Sequence, residues 1–103
     1  MSLRRQKPFL ESILKEGNRL KRQALLLHAN KDQINAISEM TLNLLKRKIP
    51  IYPRTLRKLQ RHKKVLRELS KRKNSLKKRR GHLLRQTGSG FWKGLEECYG
   101  RCR

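Results

Sequence analysis

Acidic residues are scarce in this chain: 7 Asp and Glu stand among 103 residues, against 29 Lys and Arg. Paired carboxylates for general acid–base work therefore have almost no material, and the one adjacent pair, Glu96-Glu97, reads as solvated. Cysteine is nearly absent, with Cys98 and Cys102 both among the last six residues, where they cannot staple a fold. Cys98-x-x-x-Cys102 has no second half nearby and is not a familiar zinc spacing, so it reads as a thiol pair. His28, His62 and His82 stand twenty or more residues apart without ligand-spaced companions, and no glycine-rich phosphate loop follows a strand pattern. The expectation is a protein that is not an enzyme, with no catalytic residue, metal or cofactor. No apolar run approaches the roughly 18 residues that span a bilayer, and Met1-Ser2-Leu3-Arg4-Arg5 leads into no apolar signal core. The chain is expected to be neither secreted nor membrane-integral. Aromatics are few, and none lies between Tyr52 and Phe91 to stack on single-stranded bases.

What the chain has in excess is positive charge. The net value of +22 is more than one charge for every five residues, and such self-repulsion points to a polyanionic partner, nucleic acid ahead of an anionic membrane. With 35% hydrophobic residues and a mean hydropathy of −0.91, the chain lies near the border between folded and disordered. Its charge is uneven. Residues 1–53 carry 11 basic and 4 acidic residues; residues 54–85 carry 15 basic residues and one acid, Glu68; residues 86–103 carry 3 against 2, with four of the six glycines and the only Trp.

Apolar positions recur at three and four residues and never alternate, which predicts an all-α fold. A first helix starts near Pro8 with Leu10, Ile13 and Leu14 on one face, and Gly17-Asn18 interrupts it. A second, from Arg19, sets Leu20, Ala24 and Leu27 on one stripe with Leu26 beside it and ends near His28-Ala29. Asn30, Asp32 and Gln33 form a capping-box signal for a third helix over about 31–47, with Ile34, Ile37, Met40 and Leu44 facing a core. The link at 49–53 turns because of its two prolines, and Ile49, Ile51 and Tyr52 are expected to fold back onto the core. A fourth helix runs over about 53–69 with Leu56, Leu59, Leu66 and Leu69 inward. The resulting expectation is a small three- to four-helix domain over 8–70, a basic N-terminal arm over 1–7, a basic arm over 71–87 that frays until a polyanion screens it, and a Gly-rich joint and flexible Cys-containing tail over 88–103.

The basic block carries the functional signal. Arg54, Arg57, Lys58, Arg61, Lys64 and Arg67 face out from the fourth helix, and Lys71, Arg72, Lys73, Lys77, Lys78, Arg79 and Arg80 extend the run. Such a surface neutralises several phosphates at once and releases their counterions, which needs no particular base. With no Asn/Gln cluster suited to reading adenine, backbone binding is favoured over specific readout. Lys71-Arg72-Lys73 and Lys77-Lys78-Arg79-Arg80 also match the low-specificity clusters used for nuclear import.

Thr41-Leu42-Asn43-Leu44-Leu45, Pro50-x-x-Pro53, His62-Lys63-Lys64-x-Leu66-Arg67-x-Leu69, Ser75-Leu76-Lys77-Lys78 and Gly90-Phe91 occur in an order that resembles the small basic proteins of Maverick/Polinton-type elements and related adenovirus-like viruses. The similarity covers roughly residues 34 to 91; it departs at Tyr52, where a capping Ser or Thr is expected, and at the C-terminus. The resemblance implies a core or accessory virion protein that packs beside double-stranded DNA, in the virion and the host nucleus. It further implies a maturation site for an adenoviral-type cysteine protease at Gln86-Thr87-Gly88-Ser89-Gly90, with cleavage between Ser89 and Gly90. Two alternatives share the composition: a capsid-associated minor protein whose helices dock on coat protein, and a structural RNA-binding protein of ribosomal type. For the tail, a membrane-touching segment using Phe91, Trp92 and Leu95 is disfavoured by its two acids. Oligomeric state is not legible.

Overall fold

A computed structural model describes residues 5–46, 53–71, 73–86 and 89–102, the last three and Ser89 by backbone alone. The protein is all-α. Among the described residues there are seven helices rather than three or four: α1 (Lys7–Lys15), α2 (Arg19–Leu27), α3 (Lys31–Leu45), α4 (Pro53–Gln60), α5 (Lys63–Ser70), α6 (Leu76–Leu84) and α7 (Ser89–Cys102). The expected packing of Ile49, Ile51 and Tyr52 falls outside the described residues.

Local chemistry explains the first three helices. Pro8 opens α1, and Leu10, Ile13 and Leu14 are its buried face. Asn18, which interrupts the apolar pattern, is the N-cap of α2: its side chain accepts from the backbone N–H groups of Leu20 and Lys21 at 2.9 and 3.1 Å. The capping box of α3 forms in both directions, with Gln33 N–H donating to Asn30 Oδ1 and Asn30 N–H donating to Gln33 Oε1, each at 2.9 Å. Helix α3 is central. Ile34 through Ser38 are buried in succession, because α1, α5 and α6 surround the helix instead of covering one side of it.

The expected fourth helix is two helices. Its turn at Arg61-His62 closes with a bond from His62 N–H to Leu59 C=O at 2.9 Å, and α5 restarts as Leu66 N–H donates to His62 C=O. No Gly or Pro breaks the chain there; the break lets α4 pack on α7 while α5 packs on α3 and α6. Leu59, Leu66 and Leu69 are buried as expected, and Leu56 is half-buried.

Two expectations for the C-terminal third are corrected. The arm over 71–87 contains a docked helix, α6, capped by Ser75, whose hydroxyl accepts from Lys78 N–H at 3.1 Å, and anchored by fully buried Leu83. The tail is not a flexible appendage. From Ser89 it forms α7, whose Phe91, Trp92, Leu95, Cys98 and Tyr99 are buried against α4 and α1, with Trp92 and Phe91 the largest fully buried side chains among the described residues. Hydrophobic burial on this scale outweighs the conformational freedom of Ser89 and Gly90 at the start of the helix. Gly94 lets α4 approach: a Cβ there would lie 2.6 Å from Leu59 Cδ2. The radius of gyration of 12.3 Å, against about 13 Å for a compact chain of this length, leaves no room for a projecting third of the molecule.

Candidate nucleic-acid interface

The cations of the basic block separate into three structural groups. On α4, α5 and the turn between them, Arg54, Arg57, Arg61, Lys64, Arg67 and, just beyond, Lys71 are exposed. Lys63, which the sequence reading passed over, is exposed with them at the start of α5. Its signal was its position beside Lys64, one turn before Arg67. The apolar stripe beneath is what turns these side chains outward: Leu59, Leu66 and Leu69, with Thr55, take the buried positions, and the exposed cations fall on the other side of the two helices.

Lys58 is partly committed. Its Nζ lies 3.3 Å from Glu97 Oε1, and the Thr55 hydroxyl donates to the other oxygen of the same carboxylate, so α4 and α7 are joined by a polar clasp. The Thr55 hydroxyl first, and Lys58 after it, hold the Glu97 carboxyl below its usual range.

A second exposed group has Lys73 in the turn before α6 and Lys77 and Lys78 in its first turn. Glu68, the only acid of the basic block, joins this group to the end of α5. The Asn74 amide donates to its carboxylate at 2.9 Å and to its backbone carbonyl at 2.8 Å, and Lys71 Nζ lies 3.6 Å away. The Asn74 hydrogen bond, with the charges of Lys71 and Lys78 behind it, holds the Glu68 carboxyl below its usual range. One acid is thus absorbed locally, and the surrounding face stays cationic.

The third group is withdrawn from the surface. Arg79 is 4% exposed, and its Nη1 donates to Asn35 Oδ1 and Ser38 Oγ at 2.8 Å each, bridging α6 to α3. Its assignment to phosphate contact is therefore corrected: a guanidinium held by two buried acceptors on the central helix does not reach a ligand outside. Arg80 is half-buried and donates through Nη2 to the Ala29 carbonyl at 2.5 Å, at the turn before α3. Arg72 lies outside the described residues. What attracts both arginines inward is the set of acceptors on α3 and its N-terminal turn, since an unpartnered buried carbonyl or amide costs more than ordering a long side chain.

The described end of the candidate protease site is helical. Ser89 and Gly90 form the first turn of α7, and Gly90 packs near the ring of His62, which stands edge-on to Phe91 with centroids 5.6 Å apart. Thr87 and Gly88 lie outside the described residues. Trp92 Nε1–H donates to the Gln86 carbonyl at 2.6 Å, tying the residues on both sides together. A protease that binds an extended strand would have to unwind this turn first.

Among the described residues no cluster of three His, Cys, Asp or Glu side chains is placed to hold a metal, and no helix is long and apolar enough to cross a membrane. Cys98 is buried in the core, one helical turn before Cys102. Comparison with protein-family models, curated proteins and solved structures finds no match.

Proposed function

We propose that the protein binds nucleic acid through its sugar–phosphate backbone and neutralises its charge, with Arg54, Arg57, Arg61, Lys63, Lys64, Arg67 and Lys71 as the principal contacts and Lys73, Lys77 and Lys78 as a flanking set. The observation that carries this reading is a run of solvent-facing cations along two consecutive helices whose single acid, Glu68, is engaged by Asn74 and Lys71. Phosphate spacing on a duplex allows such a run to displace several counterions together. Duplex DNA is the favoured ligand, and a core or accessory role in a virus-like particle that assembles in a host nucleus is the setting that the resemblance to the small basic proteins of Maverick/Polinton-type elements implies. The N-terminal product of a maturation cleavage would lose the α7 core, so any processing between Ser89 and Gly90 belongs to a disassembling or unfolded form.

A gel-shift series with equal lengths of duplex DNA and RNA tests the reading. With about six to eight phosphates neutralised, the log–log salt slope for duplex DNA is expected at roughly −5 to −7. A salt-insensitive complex, or a slope unchanged when the α4–α5 cations are replaced, would overturn it; tighter binding to RNA would move the ligand to that polymer.

A further inference from the structure

Helix α2 turns two leucines to solvent. Leu20 is 72% and Leu27 58% exposed, and they are the large hydrophobic side chains that the described residues leave uncovered. With exposed Ala24 between them they fall at i, i+4 and i+7, one face of a helix. Burial of Leu26 fixes the inner side of α2, so this face points away from α1 and α6, on which the helix packs. A cleft opens beside Ala24, with Phe9, Leu25 and His28 among its walls. The stripe therefore borders a recess that a side chain can enter.

Cations outnumber acids on the flanks, where Asp32 is exposed next to Lys31 and Glu16 lines the cleft. Arg19, Lys21 and Lys31 are exposed, and no acid occurs between residues 17 and 31. Arg22 does not share this face, because it turns inward over the Trp92 ring at 5.0 Å and donates to the carbonyls of Ile13 and Glu16. Glu16, at the rim of the cleft, is occupied in accepting from Asn18 N–H at 3.0 Å. We propose that the outer face of α2 docks an amphipathic helix from another protein, one that sets apolar residues three and four apart on the Leu20–Ala24–Leu27 stripe and carries Asp or Glu beside them.

Charge selects that occupant. A second copy of this chain would bring its own Arg19, Lys21 and Lys31 against the same cations, whereas an acidic partner pairs with them as its apolar side is covered. A lipid surface fits less well: the stripe is one small residue and two leucines on a nine-residue helix, without an exposed aromatic, and its cleft suits an inserted side chain. The proposal does not depend on the nucleic-acid reading, since α2 bears none of the α4–α5 cations.

The test uses the full chain and two labelled helical peptides of identical composition. One has leucines on a single face with glutamates flanking them; in the other the leucines are scattered around the helix. Fluorescence anisotropy is expected to show the first binding about tenfold or more tighter than the second, a difference of the size that two covered leucines supply. Leu20→Ser with Leu27→Ser should erase the difference, Ala24→Glu should weaken the first peptide through repulsion, and Arg57→Gln with Arg61→Gln and Arg67→Gln should preserve the difference. Ala24→Glu alters one exposed position and keeps the test usable if the double variant melts early. Equal affinity for the two peptides would overturn the proposal, as would loss of the preference in the arginine variant instead. Leucine-dependent binding to phosphatidylserine vesicles without peptide binding, or leucine-dependent self-association in sedimentation, would assign the face to lipid or to a second copy and overturn it equally.

Discussion

Arg67 and Arg79 stand twelve residues apart in the same basic block, one exposed on α5 and the other buried on α6. By composition they are interchangeable. The difference lies in what each helix packs against: α6 presents Arg79 to Asn35 and Ser38 of α3, while Arg67 has the buried Leu66 beside it and solvent beyond. A charge run thus contains side chains that build the fold as well as side chains free to meet a ligand, and acceptors about 40 residues away in sequence sort one from the other. Assigning all thirteen cations to one role overlooks that division.

The sharpest way to break the comparison is to remove the core side of it. Truncation after Ser89 deletes Phe91, Trp92, Leu95, Cys98 and Tyr99 from the core, a loss exceeding the whole stability of roughly 5–15 kcal/mol of a small domain. Far-ultraviolet circular dichroism of the shortened chain is expected to show collapse of helicity without polyanion; a stable, cooperative fold would refute the role given to α7.

Arg79→Ala should destabilise by about 2–4 kcal/mol, because it leaves Asn35 and Ser38 buried with a donor removed and opens a cavity between α3 and α6. Arg67→Ala should cost no more than about 0.5 kcal/mol in urea unfolding, yet make the DNA salt slope shallower by about 1. If the two substitutions had equal effects on stability, the division of the basic block would fail.

Gly94→Ala probes the contact between α4 and α7. A methyl group 2.6 Å from Leu59 Cδ2 forces Leu59 to move, at a cost of about 1–3 kcal/mol, and combining it with Leu59→Ala should give less than the sum of the single effects. Additive losses in thermal melts would show that the two residues do not meet.

The smallest effect concerns pH. Glu97 and Glu68 have folded-state pKa values lowered below the ordinary 4.5, so each is more easily kept ionised in the folded chain than in the unfolded one. Their contribution is fully present above that ordinary value and is lost as pH falls through the lowered ones. Both groups are at least partly open to solvent, so the loss is modest; Thr55→Val should remove the larger share of the Glu97 part of it, since the hydroxyl is the principal cause of that shift and Lys58 remains. Identical stability profiles below pH 5 for the wild type and Thr55→Val would contradict this.

Much of the helical layout was legible because its causes are local. The Asn30–Gln33 capping box, Pro8 at the start of α1 and the leucine stripe over 56–69 all act within a few residues of where they are written. Helix α7 was legible in part: Phe91, Trp92, Leu95, Cys98 and Tyr99 recur at three- and four-residue steps, but the preceding glycines and the low local charge suggested a joint. The break at Arg61-His62 had no such signal, for it carries neither Gly nor Pro. Among the cations of the basic block, outward placement of Arg54, Arg57, Arg61, Lys64 and Arg67 followed from the stripe alone, whereas the withdrawal of Arg79 and Arg80 did not.

The sequence by itself determined the all-α class, the positions of the capped helices and the cationic excess, since backbone propensity, helical periodicity and net charge are properties of neighbouring residues or simple totals. Only the tertiary structure decided that one leucine-striped segment becomes two helices, that a glycine-led tail completes the core, and that Arg79 serves the interior. Those outcomes depend on buried apolar area and hydrogen-bond acceptors supplied from distant parts of the chain, and their free energies exist only once those parts have met.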